Sequence, residues 1–410
     1  MSPGAGGAGG GPLPGGGCTL AVLTVPGRVD RVEADGARVR RLARAGTLGA
    51  VVRPAPACRW WADEDHAAPD APGSPDAPGA PGAPGGEGDA GAGGLAWSGR
   101  FPRGRRRRRL AEAVRAASGR PVTAVYAPGF AAWAEAVALA ERLDAGVLLG
   151  AREQAAVGAA RRLVRSMNPT RCVIVAETEP LADRLREATD NLLVVEAVPP
   201  GVPERDPPEP PSETPVGGPL LAAVPLDAGA AGLGALLAGL GSALADRPGA
   251  EAQLLLLGEA PALAAAHRIA AATGSLGCVS AAPAGPGCGG GPGVPLPEVL
   301  DGVHALARPR VCPAEEPPVG LEAAARGLPV LAPRPPRSAE DAVEASPSVA
   351  RELPRADAEA WAEGFGWLLD APAEARAAGD AARARVRARC PVDASDAALL
   401  HLAGLVAPRG

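Results

Sequence analysis

Short apolar runs rich in β-branched residues alternate along this chain with longer stretches whose apolar positions recur every three or four residues. That alternation predicts strands and helices laid on parallel sheets. In the first half the pattern predicts strands at 20–25, 49–52, 122–126, 146–149, 172–175 and 192–197. Helices fill the gaps at 32–45, 110–118, 131–143, 152–166 and 180–189. The second half repeats the theme, with strands expected at 220–223, 252–257, 310–312 and 329–331. After the first of these, Leu233, Leu236, Leu237, Leu240 and Leu244 fall at helical spacing on one apolar stripe, which has to be covered by a sheet.

Three stretches break the alternation: residues 2–17, about 62–109 and 203–219, all rich in Pro, Gly and Ala. Such segments bury too little surface to offset chain entropy and read as loose linkers, the second inserted within a domain. The expected fold class is α/β: two Rossmann-like, doubly wound domains facing across a cleft, interrupted by disordered Gly/Pro-rich insertions. The expected order is a disordered start at 1–17, a first domain at 18–202, a hinge at 203–219, a second domain at 220–385 and a C-terminal tail or helix at 386–410. A ligand then belongs in the crevice that faces the carboxyl ends of the strands.

Composition narrows the picture. A chain of 410 residues that is 47% hydrophobic can fill two cores. It contains no lysine, so every basic side chain is arginine. A net charge of −5 excludes a general polyanion binder, and no nucleic-acid partner is expected. The cysteines Cys18, Cys58, Cys172, Cys278, Cys288, Cys312 and Cys390 are odd in number and form no C-x-x-C pair. Neither a disulfide framework nor a zinc site follows from them. Without a secretory leader or an eighteen-residue apolar span, the expected compartment is the cytoplasm.

The most informative segment is Pro313-Ala-Glu315-Glu316-Pro-Pro-Val-Gly320-Leu321-Glu322-Ala-Ala-Ala-Arg-Gly327-Leu-Pro-Val-Leu. By its pattern, Gly320 and Leu321 open a helix whose free N–H groups and positive dipole end suit a diphosphate. This segment resembles the donor-site motif of family 4 retaining glycosyltransferases, enzymes of the GT-B type. Three further blocks resemble the same family in the same order: Cys172–Leu185, Val194–Pro203 and Leu254–Pro261, the last with a strand-to-turn Gly258. The resemblance covers roughly residues 170–380.

It implies a nucleoside-diphosphate sugar as donor, an unidentified acceptor on the first domain, a retaining transfer, and neither metal nor other cofactor. It also assigns donor-binding roles to Gly258, Gly320, Leu321 and Glu322, with Glu322 on the ribose hydroxyls, and a sugar contact to Glu315 or Glu316.

Departures from the family stand beside these matches. The family holds the diphosphate with a basic pair after the first strand of its second domain, whereas Val224–Leu233 here contains no arginine. Stabilising that charge is commonly the largest catalytic contribution, so transfer requires a substitute cation. Arg247, Arg308 and Arg334 are the candidates in this half of the chain. Glu315 and Glu316 precede Glu322 by seven and six positions, where the family spaces its pair by eight, and Val125–Phe130 lacks the family's frequent histidine. The alternative function is therefore a catalytically degenerate GT-B protein that binds or scaffolds without turnover.

The remaining motifs add less. The run Arg103-Gly-Arg-Arg-Arg-Arg-Arg109 reads first as a solvated linker end ahead of a helix at Leu110. Its alternative is peripheral contact with the inner face of a membrane that carries a lipid-linked acceptor, at about 1 kcal/mol per arginine. His66, His267, His304 and His401 show no ligand spacing and read as structural or exposed. Gly287–Gly293 lacks the Gly-Lys-Ser/Thr ending of a phosphate loop and reads as flexible. Trp60, Trp61 and Trp133 read as core packing.

Overall fold

The computed structural model describes residues 19–23, 38–39, 41–43, 45–54, 93–97, 103–164, 171–202, 220–226, 232–258, 260–283, 296–309, 318–334 and 346–408. Its first sheet comprises β1 (Leu20–Leu23), β2 (Leu48–Pro54), β3 (Gly93–Trp97), β4 (Ala124–Ala127), β5 (Gly146–Ala151), β6 (Cys172–Ala176) and β7 (Val194–Ala197). The strand order is β3-β2-β1-β4-β5-β6-β7. Helices α1 (Arg103–Ser118), α2 (Trp133–Leu143), α3 (Ala155–Val164) and α4 (Glu179–Ala188) connect the strands. Every residue of β4, β5 and β6 is buried, as expected for parallel strands covered on both faces, and their continuous apolar runs reflect it. Thr178 caps α4, its hydroxyl accepting from the Leu181 N–H at 3.4 Å, and Pro180 follows in the first turn, where its missing donor costs nothing.

The second sheet comprises β8 (Leu220–Pro225), β9 (Ala252–Gly258), β10 (Val279–Pro283), β11 (Ala305–Ala307), β12 (Val330–Pro333) and β13 (Arg351–Leu353). Its order is β10-β9-β8-β11-β12-β13, with all described pairings parallel. Around it lie α5 (Leu233–Ala245), α6 (Ala260–Ala272), α7 (Leu296–Asp301), α8 (Pro318–Ala325), α9 (Ala358–Asp370) and α10 (Pro372–Arg389), whereas α11 (Val392–Val406) ends with Val406 packed against Gly146 of β5. Leu233, Leu236, Leu237 and Leu240 of the α5 stripe are buried as their spacing predicts and Leu244 is half-buried, packing with Trp361 and Phe365 of α9 and with Leu254 and Leu256 of β9. The helices approach closely at Gly239, where an added Cβ would lie 2.4 Å from the Cβ of Trp361. The opposite face joins Leu306 of β11 and Val330 of β12 to Val319 and Ala323 of α8.

Contacts group the chain into two compact units, residues 1–25, 39–149 and 403–410 in one and 26–38 and 150–402 in the other. Both sheets have the parallel α/β architecture that the alternating pattern predicts. Differences from the expected elements concentrate where local patterning is weak. The strand expected at 310–312 lies outside the described residues; β11, which the pattern did not announce, is Ala305–Ala307, where three small apolar residues fully covered by neighbours need no β-branched signal of their own. β10 and β13 were not expected; both are edge strands, the first Ala-rich and the second beginning Arg-Glu. Part of the stretch read as a loose insertion is ordered: Gly93–Trp97 pairs with β2, and α1 begins at Arg103 rather than at Leu110. Arginine is a good helix former, so the basic run is the start of the helix and not a linker end. Residues 2–17, 55–92 and 203–219 lie outside the described residues, as do Trp60, Trp61, His66 and Gly287–Gly293.

His304 has a structural task that its isolation in the sequence does not announce. Its backbone N–H donates to the Leu221 carbonyl at 2.8 Å, and its Nδ1 accepts from the Leu221 N–H at 3.0 Å. The side chain thereby completes a strand-like pair at the start of β11. Burial, and next the Arg376 guanidinium, hold the imidazole below its usual pKa. Neutral imidazole is thus favoured in the folded state, and its contribution to stability is complete above the unfolded value near 6.5 and lost as pH falls through and below it. His304→Asn keeps an acceptor at the same position without the titration. Denaturation between pH 7.5 and 5 should therefore show a smaller loss of stability in the variant than in the parent chain, the difference developing below the ordinary histidine pKa of about 6.5.

Candidate active site

Strand order marks where a ligand site belongs. β8 lies between β9 on one side and β11 on the other, so the connections leaving β8 and β11 diverge and open a crevice at the carboxyl edge of the sheet. Gly232, ahead of α5, and Pro309, two residues past β11, come together there. Gly232, the N-cap of α5, has φ of +82°, and an added Cβ would lie 2.5 Å from the Pro309 carbonyl oxygen. Only glycine tolerates both that conformation and that approach.

From β11 the chain runs to α8 and then to β12. Proline stands at the first position of α8, where φ is pre-set and no donor is lost. At its far end Gly327, with φ of +77°, closes the helix. The Gly327 N–H donates to Ala324 at 2.8 Å and the Leu328 N–H to Ala323 at 3.0 Å, the paired pattern of a left-handed glycine cap. The Gly-Leu-Pro-Val stretch therefore ends a helix and launches a strand, as its resemblance implies.

The expected donor residues divide into three groups. Gly320, Leu321 and Glu322 share α8. Gly320 is buried, and Leu321 packs its side chain against Ala382 and Val386 of α10, so Leu321 can offer a ligand only its backbone. Gly258 ends β9, on the far side of β8 from β11, where an added Cβ would lie 3.0 Å from that of Leu226. Glu315 and Glu316 lie outside the described residues.

Glu322 is already engaged. Its carboxylate oxygen accepts from Arg326 Nη1 at 3.1 Å, and the same nitrogen reaches the Glu322 backbone carbonyl at 3.1 Å. Arg326 Nε donates to Asp301, at the end of α7, at 2.7 Å. The Arg326 side chain is 1% exposed and that of Glu322 21%. Arg326 Nη2 is buried with no hydrogen-bond partner among the described residues. The i,i+4 spacing of Glu322 and Arg326 is visible in the sequence, but Asp301 lies 25 positions away and no local signal names it.

The three candidate arginines sit differently. Arg247 follows α5 and pairs with Asp370 at 2.8 and 2.5 Å, at the helix end opposite the crevice. Arg334 follows β12 and pairs with Glu352 at 3.0 Å, its side chain 46% exposed. Arg308 directly follows β11 and is 2% exposed, with its backbone N–H bonded to the Leu331 carbonyl at 2.9 Å. Two residues beyond Leu306, it continues the strand face that packs on Val319 of α8.

Sequence reasoning also missed a buried ion pair at the carboxyl ends of β5 and β6, between Arg152 and Glu177 at 2.7 Å. Burial pushes the Cys172 thiol up to about 12, so that cysteine stays protonated and inert. Among the described residues, no group of His, Cys, Asp and Glu is arranged to hold a metal, and no helix is long and apolar enough to cross a membrane.

No family model and no curated protein matches the chain. Solved structures do. HepE from Anabaena, solved in complex with UDP and glucose, superimposes with a TM-score of 0.61 at 11% identity over 93% of this chain and 98% of its own. Sucrose-phosphate synthase from Thermosynechococcus elongatus gives 0.60 at 15% identity over 93% and 98%. A glycosyltransferase from Rickettsia africae gives 0.59 at 12% identity over 95% and 98%. The likeness spans nearly the whole of each partner while identity stays low, so it is a statement about architecture, and the chain accordingly has the GT-B glycosyltransferase fold.

Proposed function

We propose that the chain is a divergent glycosyltransferase that binds a nucleoside-diphosphate sugar at the carboxyl edge of the second sheet and passes the glycosyl group to an acceptor held by its N-terminal half. The observation that carries this reading is the donor-like segment itself: a helix that opens at Pro318, two residues before the expected Gly320, and carries Gly320 and Glu322, following the strand at the crossover in a chain of GT-B fold. In this reading the α8 backbone N–H groups and the Arg308 guanidinium neutralise the diphosphate, and Glu322 accepts from the ribose hydroxyls. Transfer is retaining and needs no metal, with negative charge on the departing diphosphate stabilised by the helix dipole and Arg308. A buried arginine at a strand end supports its assignment as the substitute cation, since a desolvated guanidinium interacts with phosphate far more strongly than an exposed one.

Calorimetric titration with UDP, GDP and their sugar conjugates tests the reading. Glu322→Ala should weaken the preferred nucleotide about 10- to 100-fold, the loss expected for a hydrogen bond to a charged group. Arg308→Gln should weaken the diphosphate while leaving the free nucleoside unchanged. If no nucleotide binds the parent chain, the donor assignment is wrong.

A second reading is favoured by one observation: Val224–Leu233 carries no arginine. A protein that binds the conjugate but releases no free nucleoside diphosphate from it over prolonged incubation, with or without acceptor sugars, would be a binding scaffold and not a transferase.

A further inference from the structure

We propose that Arg326, anchored by Asp301, is a positioning residue that orients the Glu322 carboxylate for the ribose; this inference rests on the donor reading above. A glutamate in the second turn of a short helix has several accessible rotamers, and a carboxylate that must accept from two vicinal hydroxyls loses affinity whenever it samples the others. Here one oxygen is tied to Arg326 Nη1 at 3.1 Å. The guanidinium cannot follow the carboxylate, because its Nε is tied to Asp301 at 2.7 Å and its Nη1 to the Glu322 carbonyl at 3.1 Å.

The arrangement costs more than a simple stabilising pair would. A guanidinium that is 1% exposed, with Nη2 unpartnered among the described residues, bears a desolvation penalty that its two carboxylates offset only in part. An ordinary i,i+4 pair on a helix surface gains its small stabilisation without that penalty. The third partner, from a different helix, is what turns a helix-surface pair into a fixed bracket: α7 holds the arginine and the arginine holds the glutamate. Asp301 and Glu322 also keep Arg326 from neutralising an incoming phosphate, so its influence should appear at the ribose and not at the diphosphate.

The test is the affinity ratio between UDP or GDP and the matching 2′,3′-dideoxynucleoside diphosphate, with melting temperature recorded alongside. In the parent chain the ribose hydroxyls should favour the natural nucleotide. Arg326→Ala should reduce that preference about tenfold, with affinity for the dideoxy compound unchanged, and Arg326→Lys should restore part of it. An unchanged preference in a folded Arg326→Ala protein would leave the arginine with a purely structural role and overturn the inference while the donor reading stands. Because removing a buried cation can unfold the domain, Asp301→Ala provides the second variant: its side chain is 52% exposed, so the fold should survive while Arg326 loses its anchor. A smaller drop in ribose preference supports the bracket, and no drop overturns it. Failure of the parent chain to bind any nucleotide overturns the donor reading and this inference together.

Discussion

Trp361→Ala is expected to destabilise the second unit by about 3–5 kcal/mol, the range for truncating a fully buried Trp or Phe. Trp361 is completely buried on α9, its ring centroid 5.8 Å from that of Phe365 and its Cβ directed at Gly239 of α5. Three surfaces meet at that ring, and none can collapse into the space it leaves: α5 is already in backbone contact, and the sheet beneath is fixed by its ladder. One contribution opposes the loss. The indole Nε1 is buried without a hydrogen-bond partner among the described residues, so its removal relieves a desolvation cost of about 1–3 kcal/mol. Trp361→Phe separates the two: it keeps most of the volume and deletes the unpaired N–H, and it should cost less than about 1.5 kcal/mol. Urea denaturation of both variants checks the pair. A loss in the alanine variant below about 1 kcal/mol would show that α9 is not packed on α5 as described.

Gly379→Ala should destabilise the same unit by about 1–3 kcal/mol, although alanine is normally the better helix residue by about 1 kcal/mol. Gly379 lies within α10, and an added Cβ would sit 2.1 Å from the Gly327 carbonyl oxygen and 2.9 Å from the Pro329 nitrogen. Both obstacles are backbone, so neither can swing aside. Relief requires moving the turn that caps α8 and launches β12. Gly241→Ala is the control. It also lies within a helix, α5, but an added Cβ there meets nothing within 4 Å, and that variant should be stabilised by up to about 1 kcal/mol. Opposite signs for two formally identical substitutions, read by thermal or chemical denaturation, would confirm the α8–α10 contact. Like signs would contradict it.

Much of the fold is legible in the amino-acid order because periodicity reports which side of an element is covered. The uninterrupted apolar residues of β4, β5 and β6 announce strands buried on both faces, and the α5 stripe announces a helix on a sheet. Gly327, followed by Leu-Pro-Val, announces a helix end and the next strand by chemistry that only glycine and proline supply. The failures share a cause. β11 is three residues of Ala-Leu-Ala and β3 a Gly-Gly-Leu-Ala-Trp run; neither has a pattern of its own, and each is a strand because neighbours pair with it. Arginines at the start of α1 look like a solvated tail until the helix continues through them.

The candidate site divides along the same line. Local order determined the helix that opens near Gly320, its left-handed cap at Gly327 and the reach of Glu322 to Arg326 one turn on, because each depends on residues within about one helical turn. It also determined that no cation follows the first strand of the second sheet within Val224–Leu233. Only the tertiary structure decided that Arg308 is buried at the strand crossover while Arg247 and Arg334 pair elsewhere. It likewise decided that Asp301 completes the bracket on Arg326 and that Gly379 abuts Gly327. Those outcomes depend on which strands become neighbours in the sheet, and strand pairing joins residues far apart in the chain that carry no mark of one another.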